Sequence, residues 1–144
     1  MVKIALIIAN KLREIWWFIA RPTTQGVKAI IINNDKFLMV RLSYFPNTWT
    51  FPGGGINKNE SPKEAIVREC EEETGITLNS PKLIKTFQFT HEYKKDTVYV
   101  FQARTQTDTL DPNSKEIIEA KWFNKNQLPK MGKIAQNIFK SSLL

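Results

Sequence analysis

The chain has 144 residues, 42% hydrophobic and 24% charged, which describes one soluble globular domain with a real core and excludes a disordered or two-domain chain. Its 21 Lys and Arg against 14 Asp and Glu leave a net charge of +7, which suits a polyanionic partner (nucleotide, nucleic acid or acidic lipid surface) or a merely solvated basic surface. The lone cysteine, Cys70, excludes an internal disulfide and points to a reducing, cytoplasmic setting, with the thiol packed as a small apolar group; the lone histidine, His91, has no local partner for nucleophilic catalysis.

Residues 1–22 read as an N-terminal helical arm and residues 23–144 as the domain proper. In "VKIALIIANKLREIWWFIARP" the apolar runs are split by Asn10, Lys11, Arg13 and Glu14, so none approaches the roughly 20 residues of a spanning helix. No small-residue cleavage site follows, so the stretch does not read as a signal peptide either. An amphipathic helix carrying Trp16, Trp17 and Phe18 remains. It is expected to pack on the domain or on a second copy in a homodimer, with peripheral contact to a membrane surface as the other reading.

Val27–Ile32 and Phe37–Leu42 are β-rich runs around the turn cluster Asn33-Asn34-Asp35, which predicts a hairpin. A short strand, Thr48–Phe51, then leads into Pro52 and three glycines. "SPKE" opens a helix, with Ser61 as N-cap, Pro62 at the first helical position and Glu64 three residues after the cap. Gly75 closes it at about Thr74 by taking the left-handed conformation. Lys82–Thr90 and Thr97–Arg104 follow as strands joined by the polar loop "HEYKKD". "TQTDTLDPNSKE" is a loop, "IIEAKWF" a strand, and Lys133–Ser141 a last helix.

On the predicted helix, Glu69, Glu72 and Glu73 fall within an arc of about 100°, beside an apolar stripe of Ile66, Val67 and Cys70. Arg68 stands four residues from both Glu64 and Glu72 and offsets part of the charge, while Glu71 points outward. Clustered carboxylates repel, so the face is either a solvated one or an oxygen-donor site for a hard cation such as Mg²⁺ or Mn²⁺. Glycines before the helix let a backbone carbonyl, from Gly53 or Gly54, approach such a cation.

These residues resemble the signature of the Nudix hydrolases: glycine, five residues, Glu, seven residues, then Arg-Glu-U-x-Glu-Glu-x-Gly-U, with U bulky and apolar. Gly54, Glu60, Arg68, Glu69, Glu72, Glu73, Gly75 and Ile76 stand in register, and Cys70 in the first U slot is the one departure. The resemblance runs from about Gly26 to Leu128. It implies an α/β/α sandwich with a mixed sheet and metal-dependent hydrolysis of a nucleoside diphosphate linked to another moiety. It further implies that Glu69, Glu72 and Glu73 ligate the metal with the Gly53 carbonyl, and that Arg68 pairs with Glu60. Some relatives add a carboxylate from the loop before the last strand, where Glu116 falls, with Glu119 and Asp111 as competitors.

A phosphoanhydride is polyanionic and repels hydroxide, so a metal that neutralises the phosphates and a glutamate that accepts the proton of water together supply the chemistry. Glu72 and Glu69 are the leading candidates for that base and Glu116 the third. Arg41 is a candidate phosphate ligand or a solvated surface arginine. Tyr93 stands where some dinucleoside polyphosphate hydrolases of the family carry a tyrosine, or is a plain loop aromatic. The substrate is expected to be a free nucleotide derivative, with the 5′ end of RNA and a non-catalytic nucleotide-sensing module as alternatives.

Overall fold

In the computed structural model, which describes residues 2–20, 23–91 and 94–142, alternation along β1 (Thr23–Asn33) divides the core in two. Val27, Ala29 and Ile31 point to one face of the sheet, and Ile30 and Ile32 to the other. β2 (Lys36–Leu42) splits likewise, Leu38 joining the first group and Phe37 and Met39 the second. A strand buried on both faces reads as a continuous apolar run, as "AIII" does.

The first face is covered by α2 (Pro62–Thr74), which brings Ala65, Ile66 and Cys70 against it. The second is covered by α3 (Lys133–Ser142) through Ala135 and Ile138. Between them lies a seven-stranded sheet in the order β3-β2-β1-β6-β5, with β4 added on β1 and β7 on β2. β3 spans Phe45–Thr50, β4 Gly53–Gly55, β5 Lys82–His91, β6 Lys94–Arg104 and β7 Ile117–Asn124. Among the described strands the β1–β6 pairing is parallel and the others antiparallel, so the sheet is mixed and the architecture is the expected α/β/α sandwich.

Several boundaries differ from expectation. β3 begins at Phe45 instead of Thr48, because β2 pairs it as far as Leu42 opposite Phe45 across a bulge after Arg41. The three glycines form a strand of their own, β4, paired with β1 at Gly26, Val27 and Lys28. Of the expected loop "HEYKKD", His91 belongs to β5 and residues 94–96 to β6, with His91 paired opposite Lys94, while Glu92 and Tyr93 lie outside the described residues.

α1 (Val2–Ala20) is one uninterrupted helix through Asn10–Glu14. Its described apolar side chains, Val2, Ile4, Leu6, Ile7, Ile8, Leu12 and Ile15, are all more than half exposed. The expected packing of the arm on the domain is therefore not found for them; the side chains of Trp16, Trp17 and Phe18 lie outside the described ones.

Candidate active site

The ends of α2 are fixed by local chemistry. Ser61 accepts the Glu64 N–H at 3.1 Å, Pro62 opens the helix, and Gly75 at φ 78° donates its N–H to the Glu71 carbonyl at 2.9 Å. That span sets one helical face toward β4, where the Gly53 N–H donates to Glu73 Oε2 at 3.0 Å. Glu73 is almost fully buried there. Burial pushes its carboxyl up to about 7, helped by the charges of Glu69 and Glu116 and opposed by the Gly53 N–H and Lys28.

Arg68 organises the other carboxylates. It grips Glu60 with two bonds, Nε to Oε2 at 2.8 Å and Nη2 to Oε1 at 2.9 Å, and donates to the Gly55 carbonyl at 3.0 Å. Glu60 also accepts the Asn57 N–H at 3.0 Å, and the pairing with Arg68 holds its carboxyl down at about 2. The Arg68 Nη1 bridges Glu69 at 2.9 Å and the more exposed Glu72 at 3.4 Å. Glu69 is nonetheless shifted upward, by burial first, with Glu72 and Glu116 adding to it. Gly54 leaves the room: a Cβ there would stand 2.5 Å from a Glu69 carboxylate oxygen.

Glu116 is exposed, and its charge raises the carboxyls of Glu69 and Glu73 and the phenol of Tyr44, so it lies near the cluster. Of the other two candidates, Glu119 is engaged by an arginine and Asp111 is placed by its backbone. Glu119 pairs with Arg41 at 3.2 Å, and the Asp111 backbone packs at Gly75 and donates to the Thr74 carbonyl. Arg41 also donates to the Pro46 carbonyl at 3.2 Å and lies over the Trp49 ring, so its head group is held within the β2–β3–β7 corner. Tyr93 lies outside the described residues.

Two residues near the cluster escape a reading of the sequence. Lys28 is paired opposite Gly53 and donates Nζ to the Phe51 carbonyl at 3.0 Å; burial lowers its pKa, against the pull of Glu73 and Glu69. A lone charged residue inside "GVKAIIIN" is the signal that marks it. Tyr44, on the β2–β3 turn, is pushed up by burial and by the charges of Glu116, Glu73 and Glu69, which places its phenol on the same side. Below β4, a cleft of about 700 Å³ runs between the sheet and the start of α3, lined by Gln25, Gly54, Phe89, Asp96, Lys133 and Asn137 among others.

A family model for the NUDIX domain matches residues 22–142 of this chain. The chain belongs to the NUDIX family. It is 44% identical over 91 residues to an RNA pyrophosphohydrolase of Nitratiruptor sp., covering 56% of this chain and 57% of that protein. It is 38% identical over 77 residues to mouse diphosphoinositol polyphosphate phosphohydrolase 3-alpha, covering 54% of this chain and 46% of that one. The chain spans about half the length of the curated relatives it matches. Among solved structures, a MutT protein from Methanosarcina mazei superposes with a TM-score of 0.70 at 31% identity, covering 83% of this chain and 92% of that one.

NUDIX hydrolases generally use divalent metals, and the residues present fit one. Glu69, Glu72, Glu73 and Glu116 are all oxygen donors, the set that hard cations prefer. A buried carboxyl pushed up by like-charged neighbours, as Glu73 is, relaxes when a cation neutralises the group. Among the described residues no three such side chains converge on one point, and Arg68 pairs with both Glu69 and Glu72.

Proposed function

We propose that this chain is a metal-dependent pyrophosphohydrolase that cleaves a phosphoanhydride bond in a nucleoside diphosphate linked to another moiety. A nucleoside triphosphate, a dinucleoside polyphosphate and a nucleotide sugar are the substrate types that fit this description. The observation that carries the reading is the α2 face on which Glu72 and Glu69 stand beside a buried Glu73 hydrogen-bonded to the glycine strand.

In this reading Glu69, Glu72 and Glu73 hold Mg²⁺ or Mn²⁺, with the Gly53 carbonyl and Glu116 as further donors. The cation supplies neutralisation of the phosphates and acidifies the attacking water. Glu72, the most solvent-accessible of the three, accepts the proton of that water, with Glu69 as the second candidate. Arg68 keeps Glu69 and Glu72 oriented and ties the loop through Glu60 and Gly55 to the helix. Lys28 fastens the Phe51–Gly53 backbone from below, and the 700 Å³ cleft receives the nucleoside part. Arg41 can take a phosphate by exchanging Glu119 for it. The single cysteine, buried in the core, agrees with a reducing cytoplasmic setting.

The similarity to an RNA pyrophosphohydrolase and the net charge of +7 favour a second substrate, the 5′ end of RNA. A panel of nucleotides, nucleotide sugars and 5′-triphosphorylated RNA, with Mg²⁺ or Mn²⁺ and products separated by chromatography, tests both. Turnover of at least one nucleotide, stopped by a chelator, is expected. Faster turnover of the RNA, with binding that weakens steeply in salt, would select the second substrate. A folded protein that cleaves nothing with either metal yet binds nucleotide would be a sensing module instead.

A further inference from the structure

α1 stands apart from the chemistry and presents apolar side chains to solvent. Ile4, Ile8, Leu12 and Ile15 recur at spacings of four, four and three residues and so form one stripe along the helix. Ile7, more than half exposed, lies about 60° beyond Ile4 and widens the surface on one side, whereas Leu6, equally exposed, falls among the polar residues opposite. At about 100° per residue Lys3, Asn10 and Arg13 lie together on the opposite side, while Lys11 falls at the edge of the stripe beside Ile4.

An exposed apolar stripe with a basic opposite face suits a hydrocarbon surface into which the helix sinks sideways. At 19 residues the helix is about 28 Å long, and among the described residues none is long and apolar enough to cross a membrane. Lys11, at the edge of the stripe, is placed to extend its stem along the apolar face and its charged end to the head groups. The helix carries Lys3, Lys11 and Arg13 against one acid, Glu14, in a chain of net charge +7. Two such helices would bring like charges together, whereas an anionic surface would neutralise them.

We propose that α1 is an in-plane anchor that docks this chain on a bilayer surface containing anionic phospholipid. The docking needs no part of the α2 site and persists whether or not the chain hydrolyses a nucleotide. Trp16 and Trp17, at the end nearer the domain, are residue types that favour the boundary between hydrocarbon and head groups.

The test is sedimentation of the full chain with vesicles of phosphatidylcholine alone and of phosphatidylcholine mixed with phosphatidylglycerol. Binding to the mixed vesicles is expected, weaker on phosphatidylcholine and reduced at about 0.5 M salt. Ile8→Asp combined with Leu12→Asp should lower partitioning at least tenfold while the melting temperature and metal-dependent turnover stay put. Lys11→Gln alone should lower it roughly fivefold on the mixed vesicles and little on neutral ones. Full chain that stays in the supernatant with both vesicle types overturns the proposal, as does undiminished binding of the double variant. An oligomer that the double variant converts to monomer, with no vesicle binding, would make a second copy the partner of α1.

Discussion

Glu73 is held in two conflicting ways: the fold buries its carboxylate, and the Gly53 N–H asks for the charged form. Its folded value of about 7 exceeds the ordinary 4.5, so between those limits the folded state holds a proton that the unfolded chain gives up. Stability of the metal-free protein is therefore fully present below about 4.5 and falls as pH rises through 7, by at most about 3 kcal/mol. Glu69 shifts in the same direction, whereas Glu60, held at about 2, acts only in a more acidic window and with the opposite sign. Thermal melts in chelator should show a lower Tm at pH 8 than at pH 5, and Glu73→Gln should flatten that difference. Equal slopes in both proteins would mean Glu73 titrates normally. Glu72→Gln keeps size but removes basicity, so kcat should fall at least about tenfold at saturating metal with the fold intact; an unchanged kcat would move the base elsewhere. The carboxylate spacing was readable because a helix converts residue number directly into direction. Lys28 and Tyr44 were not, because each reaches the cluster through strand pairing or a turn that no local period announces.

At the level of elements, α2 was readable to its last residue because both ends are written in side-chain and backbone chemistry. Gly75 adds a second reason to be glycine: besides φ 78°, a Cβ there would stand 2.8 Å from the Asp111 backbone. Gly75→Val should destabilise by roughly 1–3 kcal/mol, read as a lower denaturation midpoint with an unchanged slope. A midpoint equal to wild type would mean the loop at Asp111 yields freely. Strands were less readable than helices. β4 is three glycines with no side chain to declare a period, and its existence depends on the facing stretch Gly26–Lys28 of β1. The pairing of β5 with β6 as far as His91 and Lys94 is likewise set by register, which polar composition does not encode.

For the whole molecule, removal of residues 1–20 is the informative truncation. The exposed apolar face of α1 lies outside both core clusters, and every inferred metal ligand lies at or beyond Gly53. The shortened chain should keep its melting temperature within a few degrees and its metal-dependent turnover, and should scatter less light at high concentration. Loss of turnover in a folded truncation would show that the arm shapes the cleft. Length and composition announced one domain, yet the parallel joining of β1 to β6 was invisible, since neighbouring strands suggest hairpins and this pairing spans roughly seventy residues. That distance has a consequence for synthesis. At about 5–20 residues per second, β1 emerges from the ribosome several seconds before its long partner exists. For that interval the nascent chain carries a finished helix, which forms within microseconds, ahead of a strand that cannot yet close its sheet. α1 is thus competent to meet a surface, or a chaperone, while the NUDIX domain is still being translated.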